Sequence, residues 1–402
     1  MRISTQMIQQ NGAAGLSNTQ SAMYQVQQEL ATGRRISSAA TDPTAAGQVV
    51  ALADAEAQTL AFASAQTQVS NQLATIDTAL NGAQNVLQSF RQSLVQAGNS
   101  TLSASDRQGV VASMQSDYEQ LIGLANSRDS NGNYLFAGFN QTNAPFTATA
   151  TGARYNGDQG SQQVQVSTGR SISVSVNGAD VFQRVHDGNG TFSVTPDARN
   201  AGTGIPDAGT VSDRAQLTGH AYTVAFSATA AQLDYTVVDQ TTGATVVPAS
   251  VFSPGDAISV DGIAFNISGT PASGDVFTVS PSANRDVFSA MKSAIEVAGR
   301  APSGAAAQAL DTAALASSLQ YFDQALNSLL SARATVGVQM QELSALKTMN
   351  GTLSTTLQAS MSALRDVDYP TAVSQFAAAQ TAYQAAQASY AKIAQLSLFS
   401  QL

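Results

Sequence analysis

The sequence predicts an α+β fold in which long terminal helices form a coiled-coil-like helical bundle with inserted small β domains. Three observations lead there. Near both ends of the 402-residue chain, apolar residues recur at alternating steps of three and four, the spacing of a heptad stripe. Between them, over about residues 146–282, the period falls to two, the alternation of half-buried strands. The same stretch gathers the turn formers: sixteen of the 30 glycines and six of the 10 prolines lie in residues 151–282.

Taken in order, the first stripe is Leu16, Thr19, Met23, Val26 and Leu30, and "ATGRRISSAATDP" breaks that helix at Gly33 and Pro43. A longer series follows through Val69, Leu73, Ile76, Leu80, Ala83, Leu87, Phe90, Leu94 and Ala97. "SASD" at 103–106 reads as a helix start, and Val111, Met114, Tyr118, Leu121 and Ala125 continue the pattern. In "DSNGNYLFAGF", Asn131-Gly132 suits a type I′ turn, whose two central residues have positive φ, with an apolar strand after it. The stretches "VQVSTGRSISVSVNG", "TFSV", "YTVAF", "YTVVD", "ISVDGIAFNI" and "DVFTV" read as short strands rich in β-branched and aromatic residues. "NAGTGIPDAG" at 200–209 reads as a linker within them. Phe288, Met291, Ile295 and Ala298 open another helix. The longest run then carries Leu315, Leu319, Phe322, Leu326, Leu329, Val336, Met340 and Leu343, interrupted by Arg333 and Lys347. Pro370 precedes a final helix with Phe376, Ala379, Tyr383, Ala386, Tyr390 and Ile393 in line.

Four domains follow from this reading. Residues 1–44 and 365–402 are terminal helices, and 45–145 with 283–364 form a helical bundle. Residues 146–209 are a first β domain and 210–282 a second. The expected bundle core is Leu73, Ile76, Leu80, Leu87, Leu94, Leu319, Phe322, Leu326 and Leu329.

Composition narrows the function. Asp, Glu, Lys and Arg make up only 11% of the chain, against about 25% in ordinary globular domains. The net charge of −9 argues against nucleic acid, which demands clustered cations, and against anionic membrane surfaces. There is no cysteine, hence no disulfide or thiolate chemistry. No run of 18 apolar residues is present, so no membrane insertion is expected. "MRISTQMIQQNGAAG" lacks the apolar segment of a secretory leader, so if the protein leaves the cell it is expected to do so without a cleaved signal peptide.

Chemistry-bearing motifs are scarce. The two histidines, His186 and His220, fall in the β region, where a single histidine is ordinarily just a polar residue. There is no HExxH, GxSxG, Walker or dinucleotide-binding pattern. "DSNG" at 129–132 starts like a calcium loop but lacks the later ligands. No catalytic residue, metal ligand or cofactor is therefore expected, and the chain does not read as an enzyme.

The C-terminal helix is the most informative segment. In residues 371–402 the sole charge is Lys392, and Ala and Gln fill half the positions. Its stripe has a plain reading, packing within this chain's own core. Yet the other faces are also uncharged, and small uncharged side chains allow close packing without stranding buried charge. That combination points to contact with further helices.

Four stretches then carry a resemblance: "MRISTQMIQQ", "ELATGRRISSAATDPTAAGQVVAL" at 29–52, "DSNGNYLFAGFNQTNAPF" at 129–146 and "LRDVDYPTAVSQFAAAQTAYQAAQASYAKIAQLSLFSQL" at 364–402. Together they resemble the flagellin family, and within it the members at the hook–filament junction. Residues 258–281 resemble a small β module found in that family. Thr41 departs from the pattern, which often has two Asp before the proline; here only Asp42 remains.

The resemblance implies a structural subunit of the bacterial flagellum, extracellular, in a junction ring that adapts hook to filament. A filament-forming flagellin is the alternative, and an adhesive role for the outer β domains stays open. It implies hook-associated protein 1, flagellin and copies of itself as partners, with a cytosolic export chaperone beforehand and passage through the flagellar type III apparatus. The implied assembly interface is Leu16, Met23, Val26, Leu30, Phe376, Tyr383, Tyr390 and Ile393 on the terminal helices.

Overall fold

The computed structural model describes residues 5–99, 101–229 and 232–399, with side chains between residues 7 and 392. Three helices come first: α1 (Thr5–Thr32), α2 (Pro43–Ala97) and α3 (Ala104–Ala125). The hairpins β1 (Phe146–Thr149) with β2 (Gly152–Tyr155) and β3 (Gln163–Ser167) with β4 (Arg170–Ser173) follow, then the short α4 (Gly178–Phe182). Next come β5 (Val185–His186), β6 (Phe192–Pro196), β7 (Ile205–Pro206), β8 (Thr210–Val211), β9 (Tyr222–Ala228), β10 (Leu233–Asp239) and β11 (Thr245–Val251). The last strands are β12 (Ala257–Val260), β13 (Ile263–Ser268), β14 (Val276–Pro281) and β15 (Asn284–Arg285). Helices α5 (Val287–Gly299), α6 (Ala305–Arg365) and α7 (Tyr369–Phe399) close the chain. It divides into two compact units, residues 1–66 with 345–402 and residues 67–344. The terminal unit thus extends further along α2 and α6 than the expected 1–44 and 365–402.

In the 67–344 unit, α2 presents Leu73, Ile76, Leu80, Leu87, Phe90 and Leu94, all buried, and α6 answers with Phe322, Leu329 and Val336. The Phe90 and Phe322 rings lie 4.8 Å apart. Ion pairs border this seam. Arg91 Nε donates to Asp323 Oδ1 at 2.7 Å, and Arg333 reaches out of the stripe to Asp77 at 2.9 Å and Gln84 at 2.8 Å. Leu319 and Leu326, expected in the core, are half-buried, while Tyr321 and Ala325 are buried. The helix is turned so that the line through 315, 322, 329 and 336 points inward. Cover on the Tyr321 side explains the turn: its hydroxyl donates to Arg285 O at 2.9 Å.

Helix α3 begins as expected. Ser103 Oγ accepts from Asp106 N at 3.1 Å, a side-chain cap that satisfies a free helix N–H. The segment after α3 departs from expectation. Gly132 has positive φ but Asn131 does not, so the turn is not type I′. The Asp129 carboxylate instead accepts from the N–H groups of Asn131 and Asn133 at 2.8 and 2.9 Å, an Asx-type turn. No strand follows; Tyr134, Leu135, Phe136 and Ala137 are buried in irregular chain.

The expected first β domain does not stand alone. Phe146 of β1 packs its ring 5.1 Å from Phe288 of α5 and 5.5 Å from Phe182 of α4. Tyr118 of α3 donates to Gly152 O at 2.6 Å. Residues 146–182 therefore share an aromatic core with the helices. The sandwich begins instead at β6, which pairs with β14 in a five-stranded sheet ordered β11-β10-β9-β14-β6. It faces β12-β13-β7, with β8 also paired to β13. One core spans both, from Phe192 and Val194 to Phe277 and Val279. The β12–β13 turn is Asp261-Gly262, both at positive φ (+42° and +80°), the type I′ geometry that suits strand twist. The expected linker at 200–209 lies inside this domain. Asp275, buried, accepts from Ala201 N at 2.8 Å, Gly202 N at 3.1 Å and Ala272 N at 2.8 Å, which straps the segment to the sheet.

A buried charge on α3 opposes folding. Asp117 on α3 is 6% exposed, and its Oδ2 has no hydrogen-bond partner. Burial pushes its carboxyl above the usual carboxylate range, opposed in part by a hydrogen bond with Ser89. The sign follows: above pH ~4 the unfolded chain ionises freely, while the folded chain resists, so stability falls as pH rises toward neutral. Asp117→Asn should raise stability at pH 7 by about 1–3 kcal/mol. Thermal unfolding of both proteins at pH 5 and pH 7.5 checks this. The gain should be larger at the higher pH, and an equal or absent gain contradicts the assignment.

Candidate assembly interface

The 28 residues of α1 and the 31 of α7 hold two charges, Glu29 and Lys392. With so little repulsion and no ion-pair code, apolar spacing alone sets how these helices meet. On α1 the less exposed positions are 9, 12, 16, 19, 20, 23, 26, 29 and 30; on α7 they are 372, 376, 379, 383, 386 and 390. These sets contain Leu16, Met23, Val26, Leu30, Phe376, Tyr383 and Tyr390. The side chain of Ile393 lies outside the described residues.

Helices α1 and α7 pack side by side, antiparallel. A Cβ at Gly12 would stand 3.1 Å from the Tyr390 ring, and one at Gly33 would stand 3.2 Å from the Tyr369 hydroxyl. Both glycines therefore mark close approach. From one pair to the other, α1 advances 21 residues while α7 recedes 21, so the two helices keep step at 1.5 Å per residue.

A polar corner fixes this pairing at its inner end. Gly33 has φ +69°, a left-handed conformation open to glycine, and its carbonyl accepts from Val367 N at 3.0 Å. Arg35 N donates to Arg365 O at 2.7 Å, and Arg35 Nη2 donates to Leu364 O at 2.6 Å. The C-terminal carbonyls of α6 thus gain both donors and a cation at the negative end of the helix dipole. Asp42 Oδ1 accepts from Ala45 N at 3.0 Å and so caps α2 without a second acid at position 41. Hydrogen bonding by Arg365, then by Ser362, holds the Asp366 carboxyl below its usual range. The sequence reading missed the role of Arg35; the signal was its place just after the helix-breaking glycine.

What the pair lacks is a core. Among the described residues of the two helices only the small Ala372 is buried, and the larger stripe residues are no more than half-buried. Met7, Ile8, Tyr24, Tyr369 and Val373 stand exposed on the two helices, Tyr24 at 56%. Two helices alone cover only one face of each other. The faces left in water are nearly uncharged and dotted with apolar side chains, the composition of a surface that other helices cover.

Elsewhere, little chemistry is assembled. His220 Nδ1 lies 2.7 Å from Asp239 Oδ2, and the Asp239 carboxylate also accepts from Thr241 N at 2.7 Å, so the pair closes a turn. His186 sits in β5, two residues long. Among the described residues no group of three or more His, Cys, Asp or Glu side chains is placed to hold a metal, and no helix is long and apolar enough to cross a membrane.

Comparison with known proteins bears on this surface. Residues 3–142 match the bacterial flagellin N-terminal helical region, and residues 319–402 match the bacterial flagellin C-terminal helical region. Residues 195–281 match the D2-like domain of flagellar hook-associated protein 1. Flagellar hook-associated protein 3 of Salmonella typhimurium is 36% identical over 185 residues, 46% of this chain and 58% of that protein. The match thus spans less than two thirds of that curated relative. FlgL of Xanthomonas campestris is 30% identical, with a TM-score of 0.71, covering 77% of this chain and 99% of that one. The flagellar junction protein FlgL of Legionella pneumophila gives a TM-score of 0.73 at 26% identity, covering 79% of this chain and all of that one.

The seam itself can be tested. Replacing Tyr383 and Tyr390 with Asp removes two half-buried rings, each contributing about 1 kcal/mol, and puts two like charges in their place. Amide hydrogen exchange across α1 should rise by about tenfold or more. Exchange in the 67–344 unit should stay unchanged. Unaltered protection of α1 would show that the seam does not depend on these rings.

Proposed function

This chain belongs to the flagellin family, and on that premise we propose that it is a structural subunit of the bacterial flagellum, a junction ring component joining hook to filament. The observation that carries the reading is the nearly uncharged α1–α7 pair, half-buried along its seam. Such a pair is completed by like helices from neighbouring copies. Leu16, Met23, Val26, Leu30, Phe376, Tyr383, Tyr390 and Ile393 form the seam that orders each subunit, and the outer faces meet the next.

In this reading hook-associated protein 1 lies on the hook side, flagellin on the filament side, and a cytosolic chaperone holds the chain before export. The β sandwich stands outside the helical contacts, and its match to a D2-like domain supports that place. The protein works by adhesion between surfaces, with no catalysed reaction.

Two measurements test the proposal. The purified protein should fail to grow long filaments on flagellin seeds; long filaments would instead make it a filament-forming flagellin. Gln384 is exposed, off the seam. A Gln384→Glu subunit should fold normally yet weaken the junction, because a carboxylate buried between subunits loses several kcal/mol of hydration. Filament retention under shear should fall relative to the parent, and equal retention would leave that face merely solvated.

A further inference from the structure

A cleft of about 730 Å³ opens in the 67–344 unit between the end of β6, the end of α5 and the start of α6. Its volume falls in the range of small-molecule sites, roughly 300–1,000 Å³, rather than that of a protein-sized face. Arg285, Arg300 and Asp311 bring the charge to its lining. Asp311 is already engaged by Arg300 at 3.5 Å, and Arg300 also donates to Glu296 at 2.9 Å.

Arg285 differs. It is half-buried and forms no ion pair among the described residues. Its guanidinium rests over the ring of buried Tyr321, 5.5 Å from the centroid, while the Tyr321 hydroxyl holds the Arg285 carbonyl at 2.9 Å. The backbone at Arg285 is further pinned by pairing with Val185. A cation fixed on an aromatic face, with its N–H fork free, is preorganised for a carboxylate. In a chain of net charge −9, this lining carries one net positive charge. Hydroxyls from Ser293 and Ser317 share the wall, with Leu310 as an apolar neighbour. The combination of one bidentate cation, serine hydroxyls and an apolar patch matches a ring that bears hydroxyls on its edge, carbon on its face and a carboxylate.

We propose that this cleft binds a free sugar acid of the uronate class, its carboxylate on Arg285 and its hydroxyls on the serine-lined wall. The site is separate from the terminal helices and from the assembly role given above.

Titration of the ¹⁵N-labelled full chain with D-glucuronate, followed by amide chemical shifts, tests this. Saturable shifts are expected around residues 194–198 and 285–318. D-Glucose, which lacks the carboxylate, and acetate, which lacks the ring, should each bind about tenfold more weakly or worse. Arg285→Gln should weaken glucuronate binding by about tenfold with an unchanged melting temperature. Leu310→Trp fills the cleft without altering its charge and should do the same, so the test stands even where the arginine variant loses stability. No saturable shift with glucuronate, equal binding of glucose, or undiminished binding by Leu310→Trp would overturn the proposal.

Discussion

Pairing of α1 with α7 sets the terms for everything between them. Once the two ends lie antiparallel, the chain must leave through the corner at residues 33–42 and return through residues 365–368. That is why the corner is dense with backbone-directed contacts. Gly33, Arg35 and Asp42 each answer a helix end, two from α6 and its exit, one from α2. Helix termini leave unpaired N–H and C=O groups, and here four termini meet, the ends of α1 and α6 and the starts of α2 and α7. The corner is expensive to rearrange for the same reason that it is specific.

Inside the 67–344 unit the energetics are different. There the seam is fully buried, with Phe90 against Phe322 and leucines on both sides, and ion pairs at its border keep the register. Full burial lets this unit hold its own structure. It also lets it carry the burden of Asp117, a charge without a complete set of partners, since a core of this size offsets a loss of a few kcal/mol. The terminal pair has no such reserve, which is consistent with a surface finished by other molecules.

The helices were legible because their information is local and periodic. A heptad stripe declares itself over thirty residues, and the positions read from spacing on α1 and α7 whose side chains are described are half-buried. The strands of the sandwich were legible for the same reason, as period two with β-branched residues. What spacing could not reveal was contact across sequence. Asp275 binds the chain at Ala201 and Gly202, more than seventy residues away, so a Gly- and Pro-rich stretch that looks like a linker is a strap. Phe146 joins the helical core through Phe182 and Phe288, so a run of short strands that looks like a domain is an appendage. At Asn131-Gly132, the carboxylate of Asp129 overrides the turn that the dipeptide favours. Leu319 and Leu326 were misplaced by a fraction of a helical turn, because Tyr321 gives α6 a second face to bury. The proposed assembly surface was visible as missing charge, whereas the Arg35 clamp needed the fold to be seen.

The scarcity of charge on α1 and α7 has a consequence for the medium in which such a joint works. Dissolved ions weaken contacts between exposed charges by shortening the reach of their fields, from about 30 Å at 0.01 M to about 3 Å at 1 M. A seam with only Glu29 and Lys392 along its length gives that screening almost nothing to act on. Charge screening therefore leaves its cohesion nearly unchanged. What does move it is temperature, because contact between apolar surfaces weakens on cooling. A coupling built this way escapes charge screening and is sensitive to cold.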